Sequence, residues 1–256
     1  MYSLKDKIVF ITGASSGIGR SCARAFAVQG AKLILAARRA ERLNELSSGL
    51  KTEHGSEVHV LKLDVRDANA VRRSIGGLPQ GWRDIAVLVN NAGLSRGLAK
   101  LHEGKLEDWE EMIDTNLKGL LYVSRAVIPG MVARGRGHVI NIGSIAGHEV
   151  YPLGNVYNAT KFGVRALTNG LRLDLNGTGL RVTSVDPGMT ETEFSLVRFR
   201  GDSERAGKVY QGFTPLSPDD IADAVVYCAT RPPHVDVAEI LVMPTDQAST
   251  TLVHRR

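Results

Sequence analysis

The chain has 256 residues, 43% of them hydrophobic, and a formal net charge of +5 at pH 7. This length supports one large α/β domain or two small domains. Lysine and arginine are scattered among aspartate and glutamate, with no basic stripe interleaved with aromatic residues. The charge pattern therefore argues against a nucleic-acid partner.

The two cysteines, Cys22 and Cys228, lie far apart in segments of helical pattern. Their spacing fits neither a disulfide framework nor a metal site, so we expect buried free thiols and no bound metal. The first residues have no signal-type apolar core, and no apolar run approaches the roughly 18 residues of a membrane span. We therefore expect a cytoplasmic protein with no membrane partner.

Seven short β-rich runs alternate with helix-length segments along the chain. In order they are KIVFIT, AKLILAA, EVHVLKL, IAVLVN, GHVINI, LRVTSV and AEILVM. Runs that are apolar on both faces are typical of a parallel sheet covered by helices on two sides. The alternation predicts an α/β fold of Rossmann type: a doubly wound, seven-stranded parallel sheet with helices on both faces, in a single domain over residues 1–256.

A glycine-rich turn, TGASSGIG, follows the first run and contains Gly13, Gly17 and Gly19. A helix is predicted from about Ile18 to Gln29. Glycines allow a tight turn and close backbone approach, and the helix N-terminus offers free N–H groups to a pyrophosphate. The placement between a first strand and a first helix predicts dinucleotide binding.

The second run ends in LAARR, with Arg38 and Arg39 where an NAD enzyme would carry an Asp or Glu for the adenosine ribose. Two guanidiniums suit a 2′-phosphate, which they bind by charge-assisted hydrogen bonds. The pattern predicts NADP(H). The alternative is that both arginines only form the solvated start of the next helix.

Tyr157 and Lys161 stand four residues apart in VYNATKFG, where a helical pattern begins. Residues at this spacing share a helix face. A nearby cation favours the phenolate, so we expect Lys161 to lower the pKa of Tyr157 toward working pH and make it a general acid/base. Taken alone, such a pair is also common as surface decoration.

Two further polar residues accompany this pair. Ser144 follows the run GHVINI, at the carboxyl end of a predicted strand, where open α/β sheets bind ligands. Asn116 falls in the middle of a predicted helix, where its amide is costly unless hydrogen-bonded.

Two segments depart from the alternating pattern. Residues 188–217 are polar and irregular, which predicts a mobile helical flap over the substrate or, alternatively, a plain surface insertion. The C-terminal arm, residues 244–256, is too short and polar to form a unit of its own. We expect its end to be either frayed or packed on a partner subunit.

Several motifs occur together in one order: TGASSGIG, LDV at 63–65, NNAG, Asn116, Ser144, YNATK and DPGMTETEF. In these motifs and over nearly its whole length the chain resembles the short-chain dehydrogenase/reductase family. The stretches GNVYNATKFGVRAL and TEFSLVRF and the ending VHRR resemble its NADP-dependent 3-hydroxy acid dehydrogenase branch, which includes enzymes acting on serine and L-allo-threonine.

The resemblance implies hydride transfer between the 3-carbon of a hydroxy acid and the nicotinamide of NADP. Tyr157 would remove the substrate hydroxyl proton, and Lys161 would hold the nicotinamide ribose. Ser144 would hydrogen-bond the reacting oxygen, so Ser144 and Tyr157 are also the substrate-binding residues. Asn116 would position a water beside Lys161.

The resemblance also implies a set of cofactor-binding residues, with Thr190 and Thr192 equally eligible at the nicotinamide end. The set is Gly13, Ser15, Ser16, Gly17, Ile18, Gly19, Arg38, Arg39, Asp64, Val65, Asn91, Ala92, Gly93, Tyr157, Lys161, Pro187, Gly188, Thr190 and Thr192.

A 3-hydroxy acid carries a carboxylate, which needs a cation or several N–H donors. The candidates are Arg198, Arg200, His148 and, from a neighbouring subunit's tail, Arg255 or Arg256. Family members of this branch are commonly homotetramers built on two long helices, and Leu120, Val123, Val127, Leu167 and Leu171 are interface or core candidates.

Two other functions remain open on the sequence. The same cofactor and catalytic groups would serve a reductase of an uncharged ketone, aldehyde or sugar. A cofactor-sensing protein without chemistry would keep the fold, but such proteins usually lack the tyrosine or the lysine, and both are present here.

Overall fold

The structure is a computed structural model that describes residues 2–256. Its strands are β1 (Ile8–Thr12), β2 (Lys32–Ala37), β3 (Val58–Lys62), β4 (Ile85–Asn90), β5 (Gly137–Ile142), β6 (Leu180–Pro187) and β7 (Glu239–Val242). They form one parallel sheet in the order β3-β2-β1-β4-β5-β6-β7. The predicted seven-stranded, doubly wound sheet is confirmed.

Helices connect the strands and cover both faces of the sheet. They are α1 (Gly17–Val28), α2 (Ala40–His54), α3 (Ala68–Gly76), α4 (Leu106–Ile113), α5 (Leu120–Ala133), α6 (Asn155–Asp174), α7 (Phe194–Arg198), α8 (Ser203–Lys208) and α9 (Pro218–Ala229). A π-helical turn, Asp114–Gly119, joins α4 to α5. Short 3₁₀ turns lie at Gln80–Trp82, Leu101–Glu103 and Ile145–Gly147.

Alternate side chains of each central strand enter two separate cores. In β1, Val9 and Ile11 pack with α1, α2 and α9, whereas Ile8 and Phe10 pack with α3 and α5. Burial of both faces explains why these strands read as unbroken apolar runs. Cys22 and Cys228 are free and buried in the first core, as predicted, and burial raises the pKa of each thiol to about 12.

The carboxyl ends of the strands form the functional edge of the sheet. The chain winds outward in both directions from β1 and β4, and a crevice opens where such a strand order reverses. Within residues 2–256, no helix combines the length and the apolar character that crossing a bilayer requires.

The irregular segment 188–217 contains the two short helices α7 and α8. The C-terminal arm packs against this flap in the same chain: the Arg256 amide donates to the Gly212 carbonyl at 2.7 Å, and Arg255 Nη2 donates to the Val209 carbonyl at 3.0 Å. Arg255 also stacks over the ring of Phe213 at 5.0 Å. The end of the chain is thus not frayed, because it packs on the flap of the same chain.

Candidate active site

A cavity of about 610 Å³ opens at the carboxyl ends of the strands, beneath the flap. It is lined by every residue proposed above for catalysis, for the cofactor and for the reacting hydroxyl except Gly19 and Asn116. Of the candidates for a substrate carboxylate, Arg198 and Arg255 line it. The glycine-rich turn, the two arginines after β2 and the Tyr157–Lys161 pair therefore share one cavity. The topology brings together segments that are up to 242 residues apart, from Gly13 to Arg255.

The glycine-rich turn leaves the start of α1 open to a ligand. Gly13 and Gly17 have φ of +66° and +50°, in the left-handed region that favours glycine. Ser16 is the N-cap residue of α1, yet its side chain makes no capping hydrogen bond. By contrast, Asp67 caps α3 by accepting from two backbone amides. The free amides of α1 and its dipole suit the phosphates of a dinucleotide.

Asn91 ties this turn to β4. Its Nδ2 donates to the Thr12 carbonyl at 2.9 Å, and its own backbone amide donates to Thr12 Oγ1 at 3.0 Å. Gly19 lies behind the turn, where an added Cβ would come within 2.6 Å of the Gly13 carbonyl oxygen. Gly19 therefore shapes the turn from outside the cavity and does not line it.

Arg38 and Arg39 both line the cavity but differ in their partners. Arg39 donates to Ser15 at 3.2 Å and to Ser16 at 2.7 Å, and its Nη1 lies 2.8 Å from Glu193 Oε2 in the flap. The Arg38 side chain is 53% exposed, with a distant ion pair to Glu111 at 3.9 Å. Arg38 is thus open to an anion that enters the cavity, whereas an anion would compete with Glu193 for Arg39.

Tyr157 and Lys161 lie on one face of α6 and are only 8% and 7% exposed. Lys161 Nζ donates to the Ile142 carbonyl at 2.9 Å and lies 5.9 Å from the centre of the Tyr157 ring. Ser144 follows β5, and its Oγ accepts from the Ala146 amide at 3.1 Å. All three side chains line the cavity.

The electrostatics around Tyr157 differ from the expectation that Lys161 lowers its pKa. Burial raises the pKa of Tyr157, while the Arg198 guanidinium and the Ser144 hydroxyl lower it. Burial also lowers the pKa of Lys161 to about 8, and the Asp186 carboxylate acts in the opposite direction. The cation that acts most on the phenol is Arg198, which sequence spacing does not reveal.

Arg198 occupies the centre of an aromatic cluster on the cavity wall. Its Cζ lies 5.4 Å from the centre of the Tyr157 ring and 5.1 Å from that of Phe194. Its Nη2 donates to the Tyr151 hydroxyl at 2.9 Å, and its Nε is buried without a hydrogen-bond partner. A buried N–H left unpaired is costly, so Arg198 has spare capacity to bind an anion.

Asn116 lies in the π-helical turn, a local departure from the regular helix that the sequence predicts. Its Oδ1 accepts from the Leu94 amide and its Nδ2 donates to the Leu94 carbonyl, both at 2.9 Å. A second donation reaches Thr160 Oγ1 at 3.0 Å. The amide thus clamps the segment after β4 to α6. Asn116 does not line the cavity wall, so it affects the cavity by holding that segment in position.

Thr190 and Thr192 both line the cavity but face different neighbours. The Thr192 side chain lies against the glycine-rich turn, 3.2 Å from where a Cβ on Gly17 would be. The Thr190 hydroxyl donates to the Gly188 carbonyl at 3.2 Å. Of the two, Thr192 lies closer to the phosphate end.

Three other candidates for binding a substrate carboxylate lie outside the cavity and contact acidic residues there. Arg200 pairs with Asp108 outside this cavity, and Arg256 Nη2 lies 3.6 Å from Asp246. His148 does not line the cavity either. With Asp186 and Glu239 it forms the one His/Asp/Glu group within residues 2–256 whose side chains lie close enough to hold a metal ion.

Three site residues received no role from the sequence. Glu193 pairs with Arg39 and Arg42, while Tyr151 and Phe194 pack around Tyr157. Glu193 and Phe194 belong to the motif DPGMTETEF, so the motif was the available signal. Nothing in the spacing of that motif indicates that its carboxylate would meet arginines more than 150 residues earlier.

Comparison with known proteins agrees with this geometry. Residues 7–201 match the family described as short chain dehydrogenase. The NADP-dependent 3-hydroxy acid dehydrogenase YdfG of Salmonella typhi is 52% identical over 250 residues, covering 97% of this chain and 99% of the relative. Serine 3-dehydrogenase of Rhizobium radiobacter is 45% identical, with 94% of each chain covered.

Among solved structures, the closed form of a serine dehydrogenase complexed with NADP⁺ superposes with a TM-score of 0.91. It is 48% identical, and the match covers 97% of this chain and 100% of that one. The chain belongs to the short chain dehydrogenase family.

Proposed function

We propose that this protein is an NADP(H)-dependent oxidoreductase that transfers a hydride between the 3-carbon of a small 3-hydroxy acid and the nicotinamide. One observation carries the proposal: Tyr157, Lys161 and Ser144 share a cavity with the glycine-rich turn and with Arg198. Relatives named for 3-hydroxy acid and serine dehydrogenation support it. Serine, allo-threonine and 3-hydroxyisobutyrate represent the substrate class.

The residues present fit an NADP molecule. The uncapped amides of α1 and the left-handed glycines suit the pyrophosphate. Arg38 and Arg39 suit the 2′-phosphate, since the cavity wall offers two guanidiniums at the end of β2. When bound, the cofactor supplies or accepts the hydride.

We assign the remaining cofactor contacts to other residues that line the cavity. Asp64 and Val65 after β3 would face the adenine, and Asn91, Ala92 and Gly93 would line the ribose side. Pro187, Gly188, Thr190 and Thr192 would surround the nicotinamide end, with Ser15, Ser16 and Ile18 at the phosphates.

Side chains of the protein carry out the proton transfer. Tyr157 Oη would take the proton of the substrate hydroxyl during oxidation and return it during reduction. The Ser144 hydroxyl would hydrogen-bond the reacting oxygen and stabilise its charge, and loss of such a donor typically costs about 100-fold or more in rate. The Lys161 ammonium, buried beside Tyr157, would hold the ribose hydroxyls, and the Arg198 guanidinium would stabilise the phenolate.

Arg198 is the group we assign to the substrate carboxylate. Its unpaired Nε and its position over the Tyr157 ring would hold a carboxylate near the reacting carbon. Arg255 also lines the cavity and is a second candidate from the chain's own arm. Arg200 and His148 are not candidates for the substrate carboxylate, because each pairs with a carboxylate outside the cavity.

The test is a rate screen at 340 nm with NADP⁺ and NAD⁺ over L-serine, L-allo-threonine, 3-hydroxyisobutyrate and uncharged alcohols of similar size. We expect the carboxylated compounds to be preferred with NADP⁺. Arg198→Gln should remove that preference by raising KM for the acids, whereas Arg200→Gln should not. Equal kcat/KM for acids and neutral alcohols would favour a ketone, aldehyde or sugar reductase, and binding without turnover would favour a sensor.

We also propose a homotetramer in the cytoplasm. Leu120, Val123 and Val127 are core residues, but Leu121 on α5 is 44% exposed and Leu173 on α6 is 78% exposed. These two exposed leucines lie on the two helices that we propose for the subunit interface. Light scattering of the full chain and of a chain lacking residues 249–256 tests both the tetramer and the arm.

A further inference from the structure

Asp186 is a buried carboxylate directly behind the catalytic segment. It lies in β6 just before Pro187 and is 1% exposed. Its Oδ1 occupies the space where a Cβ on Gly143 would stand, so the carboxyl group packs against the backbone of that glycine. Burial raises the pKa of Asp186, while hydrogen bonds from Ser184 and His148 lower it. Burying a carboxylate costs free energy, so its position here points to a role in the fold or the site.

The segment in front of Asp186 connects the two polar groups that flank Tyr157. At one end Lys161 Nζ donates to the Ile142 carbonyl at 2.9 Å. At the other end the Ser144 hydroxyl lies 3.5 Å from the Pro187 carbonyl. The Gly143 amide between them donates to the Val185 carbonyl at 2.8 Å. The carboxylate therefore lies beneath the short stretch that holds Lys161 in place.

A line of hydrogen bonds and ion pairs runs from Asp186 to the surface. Ser184 Oγ donates to Asp186 Oδ1 at 2.6 Å, and His148 Nε2 lies 2.8 Å from Oδ2. On the other side of the imidazole, Nδ1 lies 4.0 Å from Glu239. Glu239 in turn accepts from Arg165 at 3.0 Å. Each group already has a protein partner, which favours a carboxylate-orienting network over a metal site.

Lys161 needs a compensating charge that it does not meet directly. Lys161 is 7% exposed, and its ammonium donates to a neutral carbonyl. Within residues 2–256, no carboxylate lies within 4.0 Å of Lys161 Nζ. A buried ammonium in this position tends to lose its proton. The Asp186 carboxyl packs against Gly143, the residue that follows the carbonyl to which Lys161 donates, and its negative charge raises the pKa of Lys161.

We propose that Asp186 is a positioning residue: its carboxylate keeps the Lys161 ammonium charged, and His148 and Glu239 orient that carboxylate from the surface side. The proposal rests on the proposed function only where it assigns Lys161 a part in turnover. The charged and titratable groups that face Asp186 come from α6 (Lys161, Arg165), from the turn after β5 (His148) and from β7 (Glu239). Tyr157 and, beyond it, Arg198 face Lys161 from the cavity side.

The sign of the effect is fixed by these charges. While Asp186 is ionised it favours the protonated form of Lys161, so its removal must lower the pH at which the ammonium loses its proton. We expect Asp186→Asn to move that titration down by ~0.5–1 pH unit, as for loss of a nearby opposite charge. His148→Gln should move it in the same direction by less, because the carboxylate keeps its charge but is no longer held in place behind the segment that contacts Lys161.

The direct test follows Lys161 itself in protein without cofactor. Trace labelling with acetic anhydride at a series of pH values, read by mass spectrometry of the peptide containing Lys161, reports its titration. The matched control is Asp236→Asn, which removes a carboxylate at the opposite end of β6, where Asp236 accepts from the Val182 amide. This control should leave the titration of Lys161 unchanged. An unchanged titration in folded Asp186→Asn overturns the proposal.

The second readout is the pH profile of kcat/KM for NADPH-dependent reduction. Its alkaline limb should move down by the same amount in Asp186→Asn, less in His148→Gln and least in Glu239→Gln. If Asp186→Asn fails to fold, the His148 and Glu239 variants decide: a shift in His148→Gln supports the network, and none in either variant refutes it. Should the protein not turn over hydroxy acids at all, the labelling titration still tests Asp186.

Discussion

Arg39 and Glu193 form an ion pair across the mouth of the cavity. We therefore expect replacement of Glu193 to tighten NADPH binding and replacement of Arg39 to weaken it. Arg39 Nη1 lies 2.8 Å from Glu193 Oε2, and Arg42 Nη1 lies 2.5 Å from Glu193 Oε1. A 2′-phosphate in this place would compete with Glu193 for Arg39. Glu193→Gln removes the competitor and its repulsion of the phosphate, whereas Arg39→Ala removes the donor.

The exposure of the pair limits the first effect. The side chains of Arg39 and Glu193 are 41% and 37% exposed, and exposed ion pairs contribute ~0–1 kcal/mol. Glu193→Gln should therefore tighten NADPH binding by about fivefold at most. Hydrogen bonds to a charged group contribute ~1.5–3 kcal/mol, so Arg39→Ala should weaken NADPH binding by about 10- to 150-fold. NADH affinity should change little in either variant.

Isothermal titration of NADPH and NADH into the wild type and the two variants measures both effects. Glu45→Gln, an exposed carboxylate on α2, serves as the control for loss of a negative charge near the site. Equal losses for NADPH and NADH in Arg39→Ala would refute a phosphate-reading role. Weaker NADPH binding in Glu193→Gln would refute the competition.

Three further outcomes are expected. Gly19→Ala should weaken NADPH binding and destabilise the fold by ~1–3 kcal/mol through overpacking, because its Cβ would press on the Gly13 carbonyl. Gly49→Ala in α2, where an added Cβ would make an ordinary contact with Glu53 at 3.7 Å, should stabilise the chain by ~0.5–1 kcal/mol. Burial lowers the pKa of His138 well below 6.5. As the pH falls below 6.5, this histidine therefore binds a proton in the unfolded chain before it does so in the folded one. The free energy of unfolding should decrease as the pH is lowered through this range. In His138→Gln the slope of unfolding free energy from urea melts should be smaller by up to ~1.4 kcal/mol per pH unit, and an unchanged slope contradicts this. Removing residues 249–256 should raise KM for the hydroxy acid, since the arm holds the flap; an unchanged KM would show that the flap closes unaided.

The sheet could be predicted because its physical cause is local. Strands buried on both faces must be apolar at every position, so β1, β2 and β4 are visible as runs of sequence. The glycine-rich turn and the shared face of Tyr157 and Lys161 follow equally from short spacings. These features need no knowledge of what packs against them.

The features that sequence reasoning missed depend on contacts between distant segments. Arg198 meets Tyr157 only because the flap folds back over α6, and this reassigns the cation that acts on the phenol. At Asn116 a π-helical turn replaces the regular helix, and the Asn116 amide clamps Leu94, a contact between segments that the sequence spacing does not reveal. Asp186 stands in a motif that was recognised, yet its role depends on three other elements.

The most direct test of the proposed chemistry is Tyr157→Phe, which deletes one hydroxyl and leaves the ring packing against Phe194 and Arg198. We expect NADPH to bind as in the wild type while hydroxy acid oxidation falls by ~100- to 10,000-fold or more, the range for loss of a general acid/base. Tyr227→Phe, an exposed tyrosine on α9, should retain full activity. Turnover in Tyr157→Phe at the wild-type rate would contradict the assignment of the proton transfer to this phenol.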